Sequence, residues 1–174
     1  MAQAWHLCGS PEPRVRPQGF ETFLSTIVSQ QISRSAANAI MGRVDNLLPD
    51  KSAGALLEIE DQKLRDAGLS WRKIEYAKGF AMAIIDGSFD IDGLNKMPAE
   101  EAIKSITQLR GFGRWTAEIY LMFSLGNPDI FPADDLALQV ALGRLKGLEK
   151  KPTPKVAREL TAHWAPYRSV GSLF

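Results

Sequence analysis

The chain has 174 residues, of which 45% are hydrophobic and 24% charged, values that suit one soluble globular domain and exclude disordered, collagen-like and coiled-coil classes. Lysine plus arginine number 21 against 20 aspartates plus glutamates, a net charge of +1, so any nucleic-acid binding has to rest on a local motif rather than on bulk charge. One cysteine, Cys8, and two histidines, His6 and His163, exclude intrachain disulfides, zinc sites of the four-cysteine type and iron–sulfur clusters held by four cysteines; these three residues are read as bystanders.

Residues 1–17 carry Pro11, Pro13 and Pro17 and read as an irregular lead-in, without the basic-then-apolar pattern of a secretory signal. A cytoplasmic protein is the expectation. From Phe20 to Ile32 the apolar positions recur at helical steps of three and four, and Ser33 is placed to cap a second helix running through Val44. Short helical pieces follow at Ala53–Ile59 and Asp61–Ala67, the latter closed by Gly68. Ser70 caps a longer helix with Ile74, Ala77, Phe80 and Ala81 inside, stopped at Gly87. Pro98 in a first turn, followed by Glu100 and Glu101, opens a helix carrying Ala102, Ile103 and Ile106. After a glycine turn a mostly apolar helix runs from Arg114 to Phe123; the apolar stretch Ala117–Leu125 contains Glu118 and is far shorter than the ~18 residues of a bilayer-spanning helix. Pro132 and Asp134 open the next helix, with Asp134 as its N-cap; Thr153-Pro154 open another, and Tyr167–Phe174 reads as a last short one. No segment shows sustained strand alternation. The fold class is all-α.

The most informative stretch is Leu109-Arg110-Gly111-Phe112-Gly113-Arg114-Trp115-Thr116-Ala117. A dinucleotide fingerprint would need a preceding strand and a third glycine, and neither is present. Two glycines instead allow a turn so tight that the next helix starts at once, and the free N–H groups of that helix start suit a phosphate oxygen. This motif, L-x-G-x-G-x-x-T-A, resembles the helix–hairpin–helix signature of the DNA glycosylase superfamily that pairs the hairpin with a glycine/proline-rich loop and a catalytic aspartate. The loop has its counterpart in Gly126–Asp135, and Trp115 to Asp135 spans twenty residues, the spacing of the 3-methyladenine DNA glycosylase II branch. A further element, Ser29-Gln30-Gln31-Ile32-Ser33, is similar to that branch's G-Q-Q-[LIV]-S. The resemblance runs from about Phe20 to Phe174.

Several expectations follow from it. The whole chain, 1–174, forms one glycosylase domain of two helical lobes with an active-site cleft between them, both termini in one lobe, the hairpin spanning 107–117, and no extra N-terminal β domain. Asp135 is the catalytic carboxylate: breaking a base–sugar bond builds positive charge on the sugar, and an anion about 4 Å away at an effective dielectric near 20 contributes roughly 4 kcal/mol, on the order of a thousandfold in rate. Its other reading is an acid in a helix's first turn, stabilised by the dipole. Trp115 stands where bifunctional branches carry a nucleophilic lysine, which implies hydrolysis without strand cleavage. Trp115, Tyr120 and Phe131, together with Trp71, are the candidates for lining the base pocket, where aromatic faces attract the cationic ring of an alkylated purine; ordinary core packing is the alternative for each. The branch's tyrosine four residues after the hairpin tryptophan is replaced here by Ile119, with Tyr120 beside it.

Leu109, Arg110, Gly111, Phe112, Gly113, Arg114 and Thr116 are the expected DNA-binding hairpin. Gln30, Gln31 and Ile32 form the expected wedge that fills the gap left by a flipped base, with Gln31 facing the orphaned partner. The backbone carbonyls of Thr107, Leu109 and Phe112 match positions that ligate a monovalent cation, sodium or potassium, in the family. No other cofactor is expected. Arg72, Lys73 and Arg114 are further phosphate contacts or solvated surface residues. The implied partner is double-stranded DNA with a damaged base, met by a monomer away from any membrane. Rival readings are a glycosylase for a different lesion and a non-catalytic helix–hairpin–helix DNA-binding protein; the latter has no use for Asp135 or the glutamines.

Overall fold

The computed structural model describes residues 6, 9, 11, 12 and 14–174; Cys8 and part of the lead-in lie outside them. Ten α-helices and two 3-10 segments are described: α1 Phe20–Ser29, α2 Arg34–Leu47, α3 Ala53–Glu58, α4 Asp61–Asp66, α5 Trp71–Ile85, a 3-10 turn Asp92–Lys96, α6 Ala99–Gln108, α7 Arg114–Phe123, α8 Leu136–Leu145, α9 Pro154–Thr161, a 3-10 turn Ala162–Trp164 and α10 Arg168–Leu173. Among the described residues there is no strand, and no helix is long and apolar enough to cross a membrane. The chain divides into two compact units, one of residues 17–113 and one of residues up to 16 together with 114–174.

Helix starts follow their caps. Ser33, Ser52, Ser70 and Thr153 each accept the N–H three residues on, satisfying a donor the helix cannot pair internally. Two starts differ from the sequence reading. Pro98 is the N-cap of α6 rather than a first-turn residue. More consequentially, Asp135, not Asp134, is the N-cap of α8: Asp135 N–H bonds back to Pro132 O at 2.9 Å, which closes a turn over residues 132–135 and delays the helix by a residue. α1 stops at Ser29 rather than Ile32.

In the 17–113 unit, α1 and α3 pack on α5. Phe23 lies against Phe80 at 5.2 Å and edge-on to Phe112 at 5.3 Å, and Phe20 stacks on Phe80 at 5.4 Å. Each such ring contributes about 1.5–3 kcal/mol by burial. Phe112 matters most for the site, because it anchors the tip of the glycine turn in this aromatic core. The 114–174 unit is built on the buried face of α7, Ala117, Tyr120, Leu121 and Met122, and on Phe131, Ala133, Leu142 and Ala157. Arg168 grips Asp129 through two parallel bonds of 2.7 and 2.8 Å, and the Ser169 hydroxyl donates to Asn127 O at 2.7 Å, tying α10 to the loop before α8.

Candidate active site

Asp135 is a half-buried residue whose carboxylate is held from three directions. Oδ1 accepts the N–H groups of Ala137 at 2.8 Å and Leu138 at 3.1 Å, and Oδ2 accepts the indole N–H of Trp115 at 3.0 Å. A carboxylate offers about four lone-pair directions, so Oδ2 keeps capacity toward a further partner. The turn that presents it is pinned as well: Gln139 Nε2 donates to Ala133 O at 2.8 Å, and Lys151 Nζ holds the other end of that amide at 2.8 Å. Trp115, 43% exposed, therefore lies against the acid and directs it. Tyr120 and Phe131 are nearly fully buried; Phe131 meets Trp164 edge-on at 5.8 Å.

The apolar pattern of α7 conceals Glu118. The residue is 3% exposed; Oε1 accepts Arg114 Nε at 2.8 Å and lies 3.8 Å from Arg158, which also donates to Asp134 Oδ2 at 2.6 Å. Burial pushes the Glu118 carboxyl above its ordinary range, with Arg114 and Arg158 opposing that effect. The i,i+4 spacing of Arg114 and Glu118 is the one signal of this pair in the sequence; Arg158, in a separate helix, leaves none. Arg114, expected as a phosphate contact, is thus engaged inside its own unit.

In the other unit, the glycine turn and the glutamines meet. Gln30, which ends α1, donates through Nε2 to Gly111 O at 2.7 Å. It braces the turn, while Gln31 and Ile32 are exposed. Gln31 sits at φ 57°, a left-handed conformation uncommon outside glycine and found often at functional positions. Lys73 Nζ is spent on Val28 O at 2.7 Å, and its pKa falls through burial. Arg72 lies over the Tyr76 ring at 5.8 Å, and Arg110 pairs with Glu75. A polar cavity of about 300 Å³ is lined by Gln30, Gln31, Ser70, Arg72, Lys73, Tyr76 and Gly111.

The two glycines have different reasons. Gly111 has φ +93°, and a Cβ there would stand 2.4 Å from the Tyr76 ring; the fold itself requires glycine. Gly113 has no positive φ, and a Cβ added there would meet no atom within 4 Å among the described residues beyond its chain neighbours, so none of those residues demands a glycine there. The Leu109 carbonyl, one of the three that the sequence offers to a monovalent cation with those of Thr107 and Phe112, accepts Phe112 N–H at 3.2 Å and keeps a second lone pair. Among the described residues no group of three or more His, Cys, Asp or Glu side chains could hold a metal ion.

A glycine turn leading straight into a helix, and a proline-rich loop ending in a fixed aspartate, are the marks of one protein class. The chain belongs to it: the model of the HhH-GPD superfamily base excision DNA repair proteins matches residues 24–166. The solved structure of a DNA-3-methyladenine glycosidase from Bacillus halodurans superposes with a TM-score of 0.92 at 34% identity, covering 99% of this chain and 80% of that one. The Schizosaccharomyces pombe 3-methyladenine DNA glycosylase, solved in complex with abasic DNA, superposes with a TM-score of 0.83 at 30% identity, covering 98% and 86%. A curated relative, YfjP of Bacillus subtilis, is 31% identical over 163 residues, 89% of this chain, which spans 57% of that relative's length.

Proposed function

We propose that this protein is a monofunctional DNA glycosylase that hydrolyses the N-glycosidic bond of alkylated purines, of the 3-methyladenine and 7-methylguanine type, in duplex DNA. The observation that carries this is the Asp135 carboxylate, fixed by Trp115 and the α8 N-terminus with one lone-pair direction of Oδ2 open. The names borne by the solved relatives agree with it.

In the reaction the damaged nucleotide is extruded from the duplex, and Gln31 and Ile32 take the place it leaves. The N-glycosidic bond breaks with its electron pair going to the base, which cancels the formal positive charge of an alkylated purine, so no strong general acid is needed. Asp135 stabilises the cationic sugar. Water then adds its oxygen to the anomeric carbon and gives up a proton to the carboxylate or to solvent, leaving free base and an abasic site. Trp115 cannot form the Schiff base a lysine would form there, so the strand stays intact. Main-chain N–H groups at the start of α7 grip a phosphate, and Gly113 lets the backbone approach. A sodium or potassium ion on the Thr107, Leu109 and Phe112 carbonyls would add positive charge beside that phosphate. The protein works as a monomer on double-stranded DNA.

The test is release of free 3-methyladenine or 7-methylguanine from methylated DNA by wild type and Asp135→Asn. A loss of about 10²–10⁴ in rate is expected, with DNA affinity largely kept and no adduct trapped by borohydride. Equal activity in the variant removes Asp135 from the reaction; a wild type that binds DNA and releases no base leaves the binding-protein reading instead.

A further inference from the structure

One group of charged side chains has no part in the reaction just described, yet touches the turn that presents Asp135. Glu118 is buried inside α7, and its Oε2 finds no hydrogen-bond partner among the described residues. A buried ion with an unsatisfied oxygen is costly, and an apolar side chain of similar volume often serves stability as well or better. Its charge therefore calls for a purpose other than packing. That purpose lies in Arg158, which stands between two carboxylates, 3.8 Å from Glu118 and 2.6 Å from Asp134.

We propose that Glu118 and Arg158 are positioning residues for the reaction, setting the Asp135 carboxylate through Asp134. The proposal rests on Asp135 being the catalytic acid. Adjacent acids are tied to α7 by separate routes: Asp135 directly, by the Trp115 indole at 3.0 Å, and Asp134 through Arg158 to Glu118, one helical turn from Trp115 on the same helix. The bonds of Gln139 and the α8 N-terminus hold the turn within itself, while these two ties set its orientation against α7. Both contacts are made by Nη2 of Arg158, which donates to Asp134 and forms an ion pair with Glu118, so the guanidinium is held by one carboxylate as it holds the other. A shift of about 1 Å at a reacting group can cost on the order of 10²-fold in rate, so loosening one of two ties is expected to cost about tenfold.

The experiment compares Arg158→Met, Arg158→Lys, Asp134→Asn, Glu118→Gln and the Arg158→Met/Glu118→Gln pair in single-turnover base release from methylated duplex at saturating enzyme. Affinity for abasic-site duplex is measured at two salt concentrations, with Asp135→Asn as reference. Expected are a roughly tenfold slower release in Arg158→Met, Asp134→Asn and Glu118→Gln, partial recovery in Arg158→Lys, and a double variant no slower than its slower parent, since both residues act in one chain. DNA affinity and its salt dependence stay at wild-type values. Weakened binding with a shallower salt dependence and an unchanged saturated rate in Arg158→Met would make Arg158 a phosphate contact and overturn the proposal. Wild-type rates in all of these variants beside an inactive Asp135→Asn also overturn it, leaving the assignment of Asp135 intact; an active Asp135→Asn overturns that assignment first. Arg158 is partly exposed, so its variants keep the test decisive should Glu118→Gln fail to fold.

Discussion

At the scale of single residues, Trp115 shows how one side chain can be read for its ring and matter for its N–H. Its position in the hairpin motif points to an aromatic wall for a cationic base, yet its indole N–H also meets Asp135 Oδ2 at 3.0 Å. A hydrogen bond to a charged group contributes about 1.5–3 kcal/mol, and partial exposure of the indole argues for the lower end. Trp115→Phe keeps a flat ring and removes the donor together with the pyrrole part of the indole. Base release is expected to slow about tenfold while binding of abasic-site duplex stays within about twofold; if binding falls and the rate at saturation does not, the ring and not the N–H is what the reaction uses. Asp134 and Asp135 make a similar pair. Asp134 reads in the sequence as the cap, and the turn closed by Asp135 N–H on Pro132 O gives that place to Asp135 instead.

The glycine turn is where local chemistry and tertiary packing can be separated by experiment. Gly111→Ala places a methyl group 2.4 Å from the Tyr76 ring at a positive φ, so it is expected to lower the melting temperature by several degrees, the strain being of order 1–3 kcal/mol. Gly113→Ala meets no neighbour; its melting temperature is expected to match wild type while affinity for duplex DNA falls at least fivefold. Unchanged affinity in a folded Gly113→Ala protein would remove the turn as the DNA anchor. Most helices of this fold are legible in the sequence because each depends on its own neighbours: Ser33, Ser70 and Thr153 are caps whatever lies elsewhere, and the three- and four-residue steps of Phe23, Leu24, Ile27 and Val28 name a buried face. The candidate site is legible only where a motif keeps fixed spacing, as from Trp115 to Asp135. What escapes is long-range. Gln30 reads as a wedge residue but spends its amide on Gly111, 81 positions away; Phe112 reads as a hairpin residue but is an anchor in the aromatic core; Arg158 carries no local sign of its tie to Asp134. The 3-10 turns at Asp92–Lys96 and Ala162–Trp164 are too short to impose a period.

Over the whole molecule, two carboxylates make stability depend on pH in opposite senses. The Arg168 guanidinium bonded to Asp129 holds that carboxyl below its ordinary range, so this group's stabilisation is complete above the unfolded value of about 3.9 and is lost as pH falls through the folded value. Glu118 is raised by burial. Its neutral form is favoured in the folded chain, so ionisation costs stability, beginning as pH rises past the unfolded value of about 4.3 and complete once pH exceeds the folded one. Where both are ionised, the first is favourable and the second unfavourable. Asp129→Asn is therefore expected to lower the melting temperature at pH 7 by about 2–4 °C, for a pair contributing roughly 1 kcal/mol, with the difference closing toward pH 3. Glu118→Gln should leave the melting temperature at pH 7 equal to or above wild type, and its advantage should grow between pH 4 and pH 8. Thermal melts across that range decide the matter, for a Glu118→Gln protein less stable by the same amount at pH 4 and pH 8 would mean that shape and not charge fills the site. The expected result, a variant more stable and yet slower in base release, is what distinguishes a charge kept for positioning from one kept for folding.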